Sequence, residues 1–517
     1  VKEVYLCVLA VLLTANLFAQ VQMLESPRHL LQVQENPANY AAVAPLDYDL
    51  VRDGVLENSK DVVSYKASFE ALNAKGIQLY FSKLDLSEGS ILRLQNDEGK
   101  VQIICSKDNP DGGPYASTLF RGEKLTMVLE MVSKTAIDRV VVEEYGYAYR
   151  DPFPPKAKRD FGTSDTCQVN ARCAEGDQWD DEIRSVVRIS AKVGGSAFWC
   201  SGVLVNNTNQ DCAGYIYSAE HCADGITPGD YEQWVFYFLY ESPDCSNPGS
   251  EGVLDQKTLT GCSKIASGGG FGNTDSDFLL LKLTQEVPQF YNPHFAGWDR
   301  GDVVSDSGVG IHHPDGDIKK ISSYTSIPTT SSFGGSVSDT HWRTLWSGTA
   351  NGHGVTEIGS SGSPLFNSSG HLVGTLSGGA SACSVGGGTG PNEPDFYGKM
   401  SYSWDQISTD SSRQLKPWLD PTASEYGEID GIDWPCLEEP IVSIQEEDVR
   451  AFKMYPNPSN GIVTVENQLQ GKQEIQVYDL LGRGILNTTL ERQIQLNLIP
   501  GMYFVVAGNQ TQKLMVR

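Results

Sequence analysis

Basic residues are scarce in this chain. Its 517 residues include 39 Lys and Arg against 65 Asp and Glu, a formal net charge of −26. So acidic a balance opposes contact with phosphate backbones and offers no positive footing on anionic lipid, so nucleic acid and the membrane surface are poor partners. Long apolar runs are also missing. Past the first 20 residues no stretch suffices for a bilayer span. No cysteine pair has CxxC spacing, so a zinc ribbon has no support. No HExxH helix is present, and the glycine runs at 268–270 and 386–388 lead into no GK[ST] sequence, which removes the usual zinc-protease and phosphate-loop signatures. Nothing asks for a cofactor.

What is present begins at the N-terminus. Residues 4–19, VYLCVLAVLLTANLFA, read as the core of a signal peptide spanning 1–19 and cleaved near Ala19. Export gives meaning to the cysteines. There are 11; Cys7 leaves with the signal, and most of the others cluster between 167 and 262. That density predicts disulfides formed in an oxidising compartment. Residues 20–160 read as a β-rich propeptide or accessory domain, with strand-like pieces such as IQLYFSKLDL and LTMVLEMV and a partly helical stretch at Ser64–Leu79. DPFPPKAKR, residues 151–159, is an exposed hinge in which Lys156, Lys158 and Arg159 offer cleavage sites. A third region spans 161–435, and an acidic connector follows at 436–450. The remainder, 451–517, alternates strands with Pro, Asn and Gly turns and predicts a small β-sandwich.

The third region is organised around TEIGSSGSPLF, residues 356–366. A serine nucleophile needs a tight turn, small neighbours and backbone N–H groups aimed at an oxyanion, and Ser361 between Gly359 and Gly362 meets that description. An ordinary Ser/Gly turn is the plain alternative. Upstream, YIYSAEHC brings His221 and Cys222, and SDFLLLKL brings Asp277 to the head of an apolar strand. A neutral imidazole can deprotonate a serine, and a carboxylate can fix its tautomer. Asp275 is the rival acid. A Cys200–Cys222 bond would hold the histidine loop to the preceding strand. The candidates run His, Asp, Ser, and no GxSxG elbow surrounds Ser361. With short apolar strands and no dominant amphipathic helix, this favours closed antiparallel barrels over an α/β-hydrolase. His312-His313, with Asp315 and Asp317, resembles a metal cluster, but adjacent histidines point differently.

These motifs resemble those of chymotrypsin-like serine endopeptidases. CQVNARCAEG, SGVLVNNT, FAGWDR, IHHPDGDIKKIS and YGKMSYSW sharpen the likeness to bacterial lysyl endopeptidases over about 162–430. The resemblance implies a mostly β, double-barrel protease domain that hydrolyses peptide bonds after lysine. It places the triad on His221, Asp277 and Ser361, and the oxyanion donors on the backbone N–H groups of Gly359 and Ser361. It implies disulfides Cys167–Cys383, Cys173–Cys245 and Cys200–Cys222, and Cys212 is then expected to pair with Cys262. The lysine-binding aspartate falls on Asp395, which should be left unpaired until substrate arrives. The family's tryptophan and histidine beside the site are replaced by Phe333 and Ser377. Ser360 stands where trypsin-like enzymes carry an aspartate for the newly released N-terminal ammonium, so a propeptide here would act as a folding aid or steric cover. The same resemblance puts the mature start near Gly162.

YPNPSNG, the DLLGR turn, GMYFVV and the terminal Arg517 resemble the C-terminal sorting domain of Bacteroidetes proteins exported by the type IX secretion system. That implies the secretion machinery as a partner and a secreted or outer-surface location reached through the periplasm. The sequence thus predicts a secreted serine endopeptidase acting on protein or peptide substrates through an acyl-enzyme. A broader Lys/Arg protease and an inactive adhesion protein on a protease scaffold are the alternatives.

Overall fold

A computed structural model describes residues 21–58, 63–131, 137–150, 163–248, 257–269, 275–436, 452–467, 472–479, 483–490, 493–507 and 510–517. The signal peptide, the 151–159 hinge, the start near Gly162 and most of the acidic connector lie outside the described residues. The chain divides into two units, Val1–Glu438 and Glu439–Arg517. Among the described residues no helix is long and apolar enough to cross a membrane.

The protease region is built of short strands that bury most of their side chains. Val186–Val193 and Ser196–Leu204 form a hairpin. Tyr215–Ala219 pairs with Ser196–Leu204 on one side and Phe278–Leu283 on the other, and Cys262–Ser267 continues the sheet. Val235–Phe238 pairs back onto Val186–Val193. Ile189, Ile216, Phe236, Leu279 and Leu281 fill the interior of this first barrel at 0% exposure; truncating one of the leucines to alanine costs about 2–5 kcal/mol. The second barrel runs through Lys320–Tyr324, Gly308–His312, Pro364–Asn367, Leu372–Gly379, Asp395–Lys399 and His341–Thr344, all antiparallel. Its core holds Trp342, Trp346, Leu365 and Tyr397. A further cluster, with Val203, Tyr217 and Phe278 from one barrel and Val309, Ile311 and Phe366 from the other, joins the two.

The N-terminal region is not set apart from the protease. Strand Asn39–Asp49 adds to Ser196–Leu204, with Ala42 opposite Ser196 and Ala41 opposite Ala197. The sheet of the first barrel therefore continues into Arg139–Ala148 and Gly76–Asp85. Tyr40 stacks on Trp199 at 4.2 Å, Gln233 Nε2 donates to the Phe81 carbonyl at 3.1 Å, and Lys192 pairs with Glu144 at 2.5 Å. The partly helical reading of Ser64–Leu79 is corrected: Val63–Glu70 and Gly76–Asp85 are strands, and Asn73 turns between them at φ 64°. Ala, Lys and Glu favour helix there, but pairing with Lys124–Met131 and burial of Val63, Ala67 and Phe69 outweigh that weak preference.

In the C-terminal unit the described residues form a three-stranded and a four-stranded sheet. Phe452, Val463, Val465, Ile475, Val477, Val505 and Leu514 are their buried residues. The alternation of buried and exposed positions along Gly501–Ala507 is that of a strand with one face packed.

The structure joins Cys167 to Cys383, Cys173 to Cys245 and Cys200 to Cys222. The expected Cys212–Cys262 bond is corrected. Cys212 is bonded to Cys436, 224 residues away, and Cys262 is a buried free thiol. Cys262 begins a strand opposite Leu283 and packs inside the first barrel. Cys212 lies on a turn at φ 54°, where the segment carrying Ile432 and Asp433 comes alongside His294–Phe295. Closing so long a loop is worth about 5 kcal/mol in the chain-entropy account. Non-reducing peptide mapping should recover a Cys212–Cys436 crosslink. Burial pushes the Cys262 thiol well above its ordinary range, so alkylation should reach it only after unfolding; a Cys212–Cys262 crosslink would reverse the assignment.

Candidate active site

His221 lies in the short 3₁₀ turn Glu220–Ala223 that follows strand Tyr215–Ala219. The Cys200–Cys222 bond ties that turn to the neighbouring strand. Asp277 immediately precedes Phe278–Leu283, and Phe278 stands opposite Ala219 in the register. Its backbone is left-handed, φ 58°, a conformation that aspartate tolerates better than most residues. Both carboxylate oxygens then meet His221. Nδ1–H donates to Oδ2 at 2.7 Å, and the backbone N–H donates to Oδ1 at 3.0 Å. This hydrogen bond selects the tautomer with an unprotonated Nε2, the form a general base requires. Burial works to lower the His221 pKa, but the charge and hydrogen bond of Asp277 outweigh it, and the net shift is upward. The rival Asp275 instead meets the guanidinium of Arg413.

Ser361 comes from the other barrel, on the turn before Pro364–Asn367. Gly362 has φ +79°, and a Cβ there would lie 2.1 Å from Ser218 Oγ and 2.8 Å from Ala219 N. The Ser361 turn therefore rests directly on the strand that leads to His221. Gly359 has φ +89°, and a Cβ would lie within 3.0 Å of the backbone at 313–316. The Ile358 carbonyl accepts from Asp315 N at 2.5 Å, and the Ser360 carbonyl accepts from Ser363 N at 3.0 Å. Since N–H and C=O of a trans peptide point in opposite directions, these bonds orient the N–H groups of Gly359 and Ser361. Neither N–H finds an acceptor among the described residues.

His221, Gly359 and Ser361 line a cleft of about 830 Å³. Asp224, Asp315 and Glu357 also line it, and among the described residues no lysine or arginine does. Burial pushes the Glu357 carboxyl up to about 7, against hydrogen bonds from Gln168 and the Asp165 N–H. Asn36, Pro37 and Ala38 of the N-terminal region also line it.

Asp395 is at 0% exposure, behind the wall of this cleft. The carboxylate is hydrogen-bonded and has no ion-pair partner among the described residues. Its Oδ2 accepts from Trp346 Nε1 at 2.6 Å, Thr356 Oγ1 at 2.8 Å and Ser381 Oγ at 2.6 Å, and Oδ1 accepts from Ser381 N at 3.3 Å. A carboxylate sealed from water needs such donors. All four are neutral, and among the described residues no lysine, arginine or histidine forms an ion pair with the group. Burial raises its pKa, opposed by those bonds. Thr356 and Ser381, which hold it, face the cleft.

Phe333 and Ser377 both reach the cleft, and His341, absent from the sequence reading, connects them. Phe333 meets the His341 ring at 6.0 Å, edge to face, and stacks on Phe396 at 4.9 Å. Ser377 Oγ lies 3.1 Å from His341 Nε2. Burial pushes the His341 pKa down to about 4. The His312-His313 pair is engaged otherwise than as ligands. His312 Nδ1 and Nε2 contact the hydroxyls of Ser360 and Ser322, and His313 Nδ1 donates to the Asp317 carbonyl at 2.9 Å.

Two parts of the chain match known families. Residues 161–398 match the family described as lysyl endopeptidase, C-terminal domain, and residues 453–517 match the secretion system C-terminal sorting domain. A lysyl endopeptidase of Pseudomonas aeruginosa is 28% identical over 336 residues, 62% of this chain and 69% of that protein. Among solved structures, Deg5 is 17% identical over 44% of this chain and 88% of its own, with a TM-score of 0.27. The thermostable serine protease AL20 from an extremophilic microorganism is 16% identical over 42% of this chain and 91% of its own, with a TM-score of 0.28. At those scores the structural likenesses carry no argument.

Replacing Asp277 with asparagine should lower kcat by about 10⁴-fold, the scale for a triad acid that no longer fixes the histidine tautomer. Asp275→Asn should stay within a few-fold of wild type. The raised His221 pKa means that protonated imidazole persists to higher pH. The acid limb of kcat/KM should therefore have its midpoint above the ordinary value near 6.5, and it should move down in Asp277→Asn. Equal losses in the two asparagine variants would remove Asp277 from its role.

Proposed function

We propose that this chain, a serine endopeptidase whose residues 161–398 match the lysyl endopeptidase C-terminal domain, cleaves peptide bonds after lysine through an acyl-enzyme. Its sorting domain, residues 453–517, directs it through type IX secretion to the cell surface or the extracellular space. The observation that carries the chemistry is the His221–Asp277 pair sharing one cleft with Ser361 and the two unbonded N–H groups beside it. His221 takes the Ser361 proton as Oγ attacks the scissile carbonyl. The oxyanion forms against the N–H groups of Gly359 and Ser361, and the protonated His221 then delivers its proton to the leaving amine. Water, deprotonated by His221, releases the acid product. Asp277 holds the imidazole and stabilises its charged form.

The charge of the cleft supports a cationic side chain at the cleaved position. Among the described residues its lining carries Asp224, Asp315 and Glu357 and no lysine or arginine, and Asp395 adds a carboxylate held by neutral donors alone. An incoming ammonium meets the Ser381 and Thr356 hydroxyls with that carboxylate behind them, so its charge is compensated as it leaves water. Lysine brings a compact head on a long apolar stem, whereas arginine needs room for a planar fork.

The N-terminal region serves as a propeptide that covers the cleft. Asn36, Pro37 and Ala38 line it, and the strand that follows, Asn39–Asp49, is hydrogen-bonded into the sheet of the first barrel. Cutting the 151–159 hinge leaves that strand pairing in place, so full activity requires the cover to be degraded or displaced.

Ser361→Ala should leave the secreted protein folded and abolish peptide hydrolysis. On matched peptides ending in Lys, Arg or Leu, wild type should favour Lys. Asp395→Asn should lower kcat/KM for Lys by about 10²–10³-fold while changing Leu little, in line with the cost of leaving a buried charge unpaired. Equal turnover of Lys and Arg would make the enzyme a broader trypsin-like one, and indifference to Asp395→Asn would remove that carboxylate from recognition. Intact mass and N-terminal sequencing of the secreted enzyme test the cover: a fully active chain that retains Asn36–Ala38 would refute it.

A further inference from the structure

Ser360 sits between the two residues whose N–H groups face the reaction, and among the described residues it has no charged partner. A different device occupies its place. Ser360 Oγ accepts from the Glu357 N–H at 3.1 Å and lies 2.7 Å from His312 Nδ1. His312 Nε2 lies 3.0 Å from Ser322 Oγ, which donates to the Val355 carbonyl at 3.3 Å. His312, Ser322 and Ser360 are all at 0% exposure, so each hydrogen must find a partner inside the protein.

One assignment satisfies them all. Ser360 donates to Nδ1, Nε2–H donates to Ser322, and Ser322 donates to Val355. The opposite direction leaves the Ser360 hydroxyl hydrogen without an acceptor among the described residues. His312 is therefore neutral, and its chain of hydrogen bonds runs from the backbone at Glu357 to the backbone at Val355. It closes across the segment that carries Gly359. Burial holds the imidazole neutral, with its pKa pushed down to about 3.

We propose that His312, acting through Ser360, is the positioning residue that sets the oxyanion donors Gly359 and Ser361, and that it does so without any N-terminal ammonium. The inference rests on Ser361 being the nucleophile, as proposed above. It adds a prerequisite for transition-state binding that has no place in substrate binding, because Ser360 and His312 do not line the cleft.

The test uses the purified secreted enzyme and reads five quantities: fluorophosphonate labelling of Ser361, kcat and KM on a lysyl peptide amide, and inhibition by a lysyl peptide aldehyde and by the matching alcohol. The aldehyde forms a tetrahedral adduct whose oxygen occupies the oxyanion position, whereas the matching peptide alcohol does not. Ser360→Ala removes only a hydroxyl. It should lower kcat by about 10–100-fold, part of the loss seen when an oxyanion donor is removed, with KM within about two-fold. Aldehyde affinity should fall in parallel and alcohol affinity should hold. His312→Asn, which keeps an acceptor near the Nδ1 position, should recover more kcat than His312→Gln, which reaches only towards Ser322. Unchanged kcat in Ser360→Ala would overturn the proposal, as would a KM-only loss or a His312→Gln variant as active as His312→Asn. Absence of labelling and hydrolysis in the wild type would instead defeat the reading of Ser361 as nucleophile.

Discussion

A carboxylate taken out of water must be met by donors or it takes up a proton, and the catalytic half of this protein is arranged around one such group. Asp277 gives both oxygens to a single residue, one to the His221 ring and one to its backbone N–H. That geometry needs two adjacent strands in fixed register, a left-handed backbone at the aspartate and a histidine turn that cannot swing away. The register comes from Tyr215–Ala219 against Phe278–Leu283, and the turn is fastened by Cys222. The serine turn is seated on the same strand because Gly362 lets the backbone approach. Packing between the barrels therefore sets the distance on which the chemistry depends, and the hydrophobic cluster shared by Val203, Phe278, Val309 and Phe366 maintains it.

The same requirement recurs at Asp395 with another outcome. There the donors are one indole, two hydroxyls and one backbone N–H. Neutral donors stabilise a charge without cancelling it, so a buried anion can be held ready beside a cleft while staying attractive to a cation. A lysine or arginine in their place would have made an internal salt bridge and left nothing for a ligand to compensate.

Local signals made much of this legible in the sequence. Apolar runs and Ser/Gly turns gave strands, the motifs around His221, Asp277 and Ser361 stood out, and three cysteine pairs followed from a resemblance. What escaped depends on long-range contact. Cys212 meets Cys436 because Ile432 and Asp433 pair beside His294 and Phe295, and no spacing near Cys212 announces a partner 224 residues away. Asp395 reads as a lone acid in its loop; its donors Trp346, Thr356 and Ser381 are separated from it in sequence by up to 49 residues. His341 carries no motif at all. The strand at Val63–Glu70 was hidden by residues that favour helix in isolation, because a strand's pairing partner is chosen by the fold and not by its own composition.

The Cys212–Cys436 bond has a consequence for the boundary between the enzyme and its export signal. The last cysteine stands at the edge of the described residues of the first unit, and the sorting domain lies beyond it. A cut in the connector leaves a tail that starts from a cysteine already stapled to the first barrel, so fraying from the new carboxyl terminus is stopped at Cys436. The address can be discarded after delivery without loosening what was delivered.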